Sequence, residues 1–254
     1  MKGIVLAGGL GTRLYPLTKI TNKHLLPLYD RPMVFFPIAK LADSGIDEIM
    51  IVTGGYNAGD FLRLLGDGSQ FGLKNLHYIY QAHEGGIAEA VGLCEKYADG
   101  DNVAVMLGDN LIEQDLSSAV GLFERNGVGA RIFLKRVANP GEYGVVEFDG
   151  KSMSRIVEKP RRPPSNYAVV GFYLYDNSVF EIIRTLKPSK RKELEISDVN
   201  GIYLERRMLA YEILRGGWAD AGESIAAYNK AIDFARKLAQ AKPGRVQLKS
   251  NQDK

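Results

Sequence analysis

Ile4-Val5-Leu6-Ala7 runs directly into Gly8-Gly9-Leu10-Gly11-Thr12-Arg13, and Lys23-His24-Leu25-Leu26-Pro27 follows ten residues later. Four apolar residues in a row suit a strand covered on both faces. The glycines after it clear side chains from the turn, so backbone N–H groups can approach phosphate oxygens. Arg13 and Lys23 add two positive charges in the same neighbourhood. This is equipment for holding a polyphosphate. Two better-known phosphate loops are excluded. The triphosphatase loop closes on Lys-Ser or Lys-Thr, and neither follows here. The dinucleotide loop requires a third glycine where this chain carries Leu14, which argues against a nicotinamide-dependent oxidoreductase.

Composition bounds the rest. The chain has 254 residues, 45% of them hydrophobic, enough to bury a sizeable core in a single domain, read here as 1–240. Lys and Arg number 33 against 30 for Asp and Glu, a net of +3. The segment 241–254 holds Lys242, Arg245, Lys249 and Lys254 against Asp253, so it accounts for that whole excess. The body is neutral, which gives no basis for nucleic-acid binding, and the tail is expected to be a solvated, disordered end. The single cysteine, Cys94, excludes an internal disulfide. It falls on the helical stripe Ile87, Ala90, Val91, Cys94 and reads as a core position. The start Met1-Lys2-Gly3 lacks the pattern of a signal peptide, and no apolar run reaches membrane-spanning length, so a cytoplasmic protein without membrane association is expected.

Short apolar runs alternate with helical patterns through the first two-thirds. Residues 49–52, 76–80 and 103–107 read as buried strands, and 33–42, 61–65 and 87–97 as helices. That alternation predicts an α/β fold, a three-layer Rossmann-like, mostly parallel sheet. Ligands in such sheets bind at the carboxyl ends of strands, where the Gly8 loop and Gly108-Asp109 both fall. From residue 130 the pattern changes to strands at 132–134, 144–148, 154–157 and 167–175, with Asp149-Gly150 as a hairpin turn. A small strand-rich lid beside the main sheet is expected there. Helices at 178–186 and 195–206, a strand at 210–214 and a helix at 224–238 complete the chain, with Pro243-Gly244 as its stop.

Further motifs occur in order: Gly108-Asp109-Asn110, Glu142-Tyr143-Gly144-Val145, Glu158-Lys159-Pro160, Glu193-Leu194-Glu195-Ile196-Ser197-Asp198 and Trp218-Ala219-Asp220-Ala221-Gly222. With the opening loop and Lys23 to Pro27, they resemble the sugar nucleotidyltransferases over about residues 1–235. The resemblance implies transfer of a nucleoside monophosphate from dTTP to glucose 1-phosphate, with release of pyrophosphate. The nucleophile is already an anion, so positioning and charge stabilisation carry such a reaction. By the resemblance, Arg13, Lys23 and Asp109 are the catalytic residues, and Asp109 with Asp220 holds Mg2+, which binds through one or two carboxylates plus substrate phosphates.

The nucleotide pocket it implies comprises Leu6, Gly8, Gly9, Gly11, Thr12, Gln81, Gly85 and Gly86. The Gln81 amide offers a donor and an acceptor to a pyrimidine edge. The sugar-phosphate pocket it implies comprises Tyr143, Gly144, Glu158, Lys159, Val169 and Tyr173. A homo-oligomer, dimer or tetramer, is implied too. Weakened feedback inhibition by a dTDP-deoxysugar is expected, because longer relatives carry further helices. Two departures stand out. Family members that use thymidine nucleotides read Gly-Leu-Ala-Gln-Ala where this chain reads Gly86-Ile87-Ala88-Glu89-Ala90. Related enzymes also carry Asp-Thr-Gly where this chain has Asp220-Ala221-Gly222. UTP or CTP, or another hexose 1-phosphate, stay open as substrates. So does a non-catalytic sugar-nucleotide-binding regulator, although that role would not need Arg13, Lys23, Asp109, Lys159 and Asp220 together.

Overall fold

The computed structural model describes residues 1–150 and 152–241. The chain opens with β1 (Lys2–Ala7), the short hairpin β2 (Pro27–Leu28) and β3 (Arg31–Pro32), then α1 (Phe35–Asp43), β4 (Glu48–Gly54) and α2 (Ala58–Leu65). Next come β5 (Asn75–Gln81), α3 (Ile87–Gly92), α4 (Glu95–Ala98), β6 (Val103–Leu107), β7 (Asn110–Ile112) and α5 (Ser117–Asn126). The second half supplies β8 (Ala130–Arg136), β9 (Gly144–Asp149), β10 (Ser152–Glu158), β11 (Tyr167–Tyr175), α6 (Val179–Thr185) and α7 (Ile196–Glu205). β12 (Leu209–Ile213), β13 (Trp218–Asp220) and α8 (Ile225–Ala241) follow.

A nine-stranded mixed sheet runs in the order β10-β9-β11-β6-β1-β4-β5, with β8 also on β11 and β12 on β8. β6, β1, β4 and β5 are parallel neighbours, and β11 joins β6 antiparallel. The apolar runs alternate between two cores, as the two-residue period of a strand requires. Ile4, Met50, Val103 and Val105 face the layer containing Ala88, Val91, Phe180 and Val199. Val5, Ile51, Ala104 and Met106 face the layer containing Phe35, Ile38, Phe61 and Phe123. Burying each such side chain contributes about 1.5–3 kcal/mol, which is why the runs read so plainly as strands. Among the described residues no helix is long and apolar enough to cross a membrane.

The strand-rich region is not a separate lid. β8, β9, β11 and β12 extend the main sheet, and only the β9–β10 hairpin forms its outer end. Gly150 takes the left-handed conformation in that hairpin (φ +59°), and Asp149 pairs with Ser152. Residues 76–80 are not a buried strand either. Among the described residues β5 pairs with β4 alone, and its far side is solvated, with Tyr80 53% exposed. The helix expected at 87–97 is two helices. Cys94 N–H donates to Val91 O at 2.9 Å, and its Sγ lies 3.6 Å from Ala90 O, so the chain tightens at Cys94 before α4 begins. Cys94 is fully buried and burial pushes its thiol up to about 12, so it is an inert core residue. α5 and the pair β7–β13 have no counterpart in the sequence reading. Of the tail expected at 241–254, Ala241 still belongs to α8, and 242–254, with the helix stop at Pro243-Gly244, lie outside the described residues.

Candidate active site

β1 is flanked by β4 on one side and β6 on the other, so the strand order reverses beside it and leaves a crevice at the carboxyl ends of β1 and β6. A cleft of about 410 Å³ opens there. Residues 8–13, Asp109, Asp220, Tyr143, Glu158 and Lys159 are among its lining residues. Leu10 N–H donates to Glu84 Oε1 at 2.7 Å, so the glycine loop directs a backbone donor at an anionic oxygen.

Lys23 is placed by a short chain of polar contacts. Asn22 Nδ2 donates to Ala7 O at the end of β1 (3.3 Å), and its Oδ1 accepts from the His24 backbone N–H (2.9 Å). The same oxygen lies 2.8 Å from His24 Nδ1, so that ring nitrogen carries the proton. Burial, and then Lys23, lower the His24 imidazole to about 3, and it stays neutral. Asn22 thus caps the 3-10 turn at Lys23–Leu25 and ties it to the sheet. Gly108 gives this turn its room. A Cβ there would lie 2.6 Å from the His24 ring and 2.8 Å from Leu6 O.

Lys23 Nζ sits 2.5 Å from Asp109 Oδ2, with little of either side chain exposed. Burial acts to raise the Asp109 carboxyl, but Lys23 beside it wins and holds it well below the usual range. Asp109 Oδ1 accepts from Asn110 Nδ2 at 3.1 Å. Asn110 Oδ1 in turn accepts from Gly171 N–H (3.1 Å) and Trp218 Nε1 (2.7 Å), joining β7 to β11 and β13. Because β13 pairs with β7 so that Asp220 lies opposite Asn110, the two aspartates meet although 111 positions separate them. Burial first, and then the Asp109 charge, raise the Asp220 carboxyl.

A buried carboxylate, Asp109, and a half-buried one, Asp220, that repel one another fit a divalent cation. Among the described residues no group of three or more His, Cys, Asp or Glu side chains could hold one without help. A two-carboxylate donor set suits a hard cation that also takes phosphate oxygens.

At the other end, Glu158 ends β10 and Lys159 follows at φ +40°, an unusual conformation for a residue with a side chain. Lys159 N–H donates to Tyr143 O at 3.0 Å, which fixes the turn. Burial, and then Glu195, raise the Glu158 carboxyl. Tyr143 packs edge-on against Trp218 (centroids 5.3 Å apart) and its hydroxyl donates to Glu223. Tyr173 and Val169 complete the apolar side on β11.

Leu6, Gly8, Gly9, Gly11, Thr12, Arg13, Lys23, Gln81, Gly86, Asp109, Tyr143, Gly144, Glu158, Lys159, Val169, Tyr173 and Asp220 all line this one cleft. Gly85 does not. Its carbonyl accepts from Leu194 N–H at 2.7 Å, so it anchors the loop from behind. The sequence reading missed Arg191. This side chain lines the cleft, meets both oxygens of Glu193 (2.8 and 2.7 Å) and lies 3.7 Å from both Glu158 and Glu195. The basic run 190–192 before the Glu193 motif was the available signal, but solvated surface charge looks the same in sequence.

The fold and the cleft, with its glycine loop and paired aspartates, suit a protein that handles phosphates. A family model described as "Nucleotidyl transferase" matches residues 2–237, and the chain belongs to that family. It is 48% identical over 243 residues to a glucose-1-phosphate thymidylyltransferase of Actinoplanes sp., covering 94% of this chain and 79% of that one. It is 45% identical over 242 residues to the enzyme of the same name from Mycobacterium tuberculosis, covering 94% and 83%. A Bacillus anthracis crystal structure assigned that name, in complex with a sucrose, superposes with a TM-score of 0.88 at 45% identity, covering 93% and 95%. A UDP-glucose pyrophosphorylase complexed with UDP-glucose gives 0.81 at 26% identity, covering 93% and 98%.

Proposed function

We propose that this chain transfers a thymidylyl group from dTTP to glucose 1-phosphate, forming dTDP-glucose and pyrophosphate. The observation that carries the reading is the convergence of Lys23, Asp109 and Asp220 between a phosphate-ready glycine loop and a pocket bearing Glu158, Lys159 and Arg191. The named relatives at 45–48% identity support the same substrates.

In this reading residues 8–13 cradle the triphosphate, and Arg13 at the lip of the cleft covers the departing pyrophosphate. Lys23, held by the Asn22 cap, stabilises charge at the α-phosphate. Asp109 and Asp220 hold Mg2+, which supplies charge neutralisation to the triphosphate and the leaving group. Lys159 and Arg191 hold the sugar phosphate in line for attack. Glu158 accepts hydrogen bonds from hexose hydroxyls, and Tyr143, Gly144, Val169 and Tyr173 shape the ring pocket. The attacking phosphate oxygen needs no general base, because it is an anion already. Leu6, Gly8, Gln81 and Gly86 surround the base. Residues 1–240 are one domain in this reading, supported by the continuous sheet and by the family match over 2–237.

The test is pyrophosphate release with glucose 1-phosphate and Mg2+, offering dTTP, UTP, CTP, ATP and GTP separately. Preference for dTTP is expected, and Asp109→Ala should remove about three orders of magnitude or more of that activity. Preference for UTP would keep the mechanism and move the chain to a uridylyl donor. Release with no nucleotide would overturn the reading.

A further inference from the structure

One carboxylate acts on the cleft without lining it. Glu223 stands three residues after Asp220 and accepts a hydrogen bond from the Tyr143 hydroxyl, 80 positions away in sequence. Tyr143 and Trp218 line the cleft, whereas Glu223 does not. Both partners of the bond are half-buried. Burial first, and then Glu223, hold the Tyr143 phenol above its usual range, so it stays protonated and donates.

The segment that carries Glu223 is fixed on both sides. Ala221 N–H donates to Asp109 O at 2.9 Å, and Gly222 N–H to Asp220 Oδ1 at 2.9 Å. A Cβ at Gly222 would lie 2.2 Å from Asp109 Oδ2, so the turn has no room to shift toward that carboxylate. Beyond Glu223, Ser224 Oγ caps α8 by accepting from Ala227 N–H at 3.1 Å. Ala221, Tyr228 and Ala231 are then buried in one cluster with Leu14, Leu26 and Leu28.

The backbone of Tyr143 is fixed as well. Its N–H donates to Pro140 O (3.1 Å) and its carbonyl accepts from Lys159 N–H (3.0 Å). What stays free is the ring, which turns about its side-chain torsions. Two contacts settle it, the edge of Trp218 and the Glu223 carboxylate. An edge-on aromatic pair is a weak and broad constraint. A hydrogen bond to a charged acceptor is directional and about twice as strong as a neutral one. The hydroxyl has one proton and Glu223 takes it, so Tyr143 offers the cleft its ring and no donor.

We propose that Glu223 is a positioning residue for hexose phosphate binding. By holding the Tyr143 hydroxyl it fixes that ring against Trp218, and the pocket shared with Glu158 and Lys159 has its binding shape before the sugar phosphate arrives. The proposal rests on the reading of Tyr143 as part of the sugar pocket. It ties that pocket to the turn carrying Asp220.

The experiment compares Glu223→Ala, Glu223→Gln and Tyr143→Phe. Both replacements of Glu223 remove the charge, but only glutamine keeps an oxygen that accepts from the phenol. Glu223→Ala and Tyr143→Phe should each raise KM for glucose 1-phosphate about tenfold, with KM for dTTP changed less than about twofold. Glu223→Gln should keep KM for glucose 1-phosphate within about threefold of the unmodified protein. The variant combining Glu223→Ala with Tyr143→Phe should cost no more than either alone, because both break the same bond. A second readout needs no turnover. Trp218 is the only tryptophan in the chain, so its fluorescence and near-ultraviolet circular dichroism report the ring beside it. In the ligand-free protein both signals should change in Glu223→Ala and persist in Glu223→Gln.

Equal KM effects in Glu223→Ala and Glu223→Gln, or additive effects in the combined variant, would overturn the proposal. So would an unaltered KM and Trp218 signal in Glu223→Ala. If Glu223→Ala fails to fold, Tyr143→Phe set against Glu223→Gln supplies the same contrast in KM. A protein that turns over glucose 1-phosphate with no nucleotide overturns the proposed function, and the Trp218 signals then still decide whether Glu223 fixes Tyr143.

Discussion

The two ends of the cleft are built on different terms. At the proposed nucleotide end, Lys23, His24 and Asp109 are nearly buried, and their direct supports reach back to β1, β6 and β7. At the proposed sugar end, Glu158, Lys159 and Arg191 are half-buried or more exposed and stand on a hairpin end and a loop; Arg191 pairs with Glu193 but lies 3.7 Å from Glu158 and Glu195. The lesson is one of preorganisation. Charge stabilisation at a reacting phosphate is worth most when its donors need no rearrangement. A pocket that admits and releases a sugar phosphate gains from cations on exposed segments whose carboxylate partners the ligand can replace.

Replacing Lys23 by Met gives the sharpest test of that contrast. It should lower kcat by about 100- to 1,000-fold, because it removes a fixed charge from the reacting centre. KM for glucose 1-phosphate should change far less, and an equal loss in both would erase the distinction between the two ends. Arg191→Ala probes the opposite end. KM for glucose 1-phosphate should rise about ten- to a hundredfold, the cost of one charge-assisted hydrogen bond, with a smaller fall in kcat. Steady-state kinetics with glucose 1-phosphate varied at saturating dTTP would separate these cases.

A smaller effect should appear in stability. His24 titrates near 6.5 in the unfolded chain and is lowered to about 3 in the native one, so protons favour the unfolded state. Stability from this group is complete above pH 6.5 and falls as pH drops from there toward 3, by about 1.4 kcal/mol per unit. The raised Asp220 carboxyl tilts stability the opposite way over much of this range. The His24 contribution is therefore read as the difference in urea-unfolding free energy between the unmodified protein and His24→Asn, which should change with that slope as pH falls from 6.5 to 5. An equal slope in the variant would show that the buried imidazole carries no such cost.

The legibility of the site follows the same division. The loop 8–13 and Asp109 were readable because each follows an apolar run, and an uninterrupted run has few interpretations. Gln81 and Glu158 end strands that are half exposed, so their segments carried weaker patterns and β5 was read as more buried than it is. Arg191 sits in a basic stretch whose sequence resembles any solvated surface. The break between α3 and α4 was invisible because both sides of Cys94 keep helical spacing.

From the sequence alone come the alternating strands and helices, the phosphate-ready loop and the chemical identity of nearly every side chain in the cleft. Local periodicity and glycine placement are properties of neighbouring residues, and they survive without knowledge of the fold. Only the tertiary structure brings Asp220 to Asp109, through three residues of β13 pairing with β7 by way of Asn110. It alone pairs Tyr143 with Glu223 and sets Gly85 behind the cleft. Those outcomes depend on strand pairing and on which polar atoms meet when the loops close, and no local pattern in the chain records either.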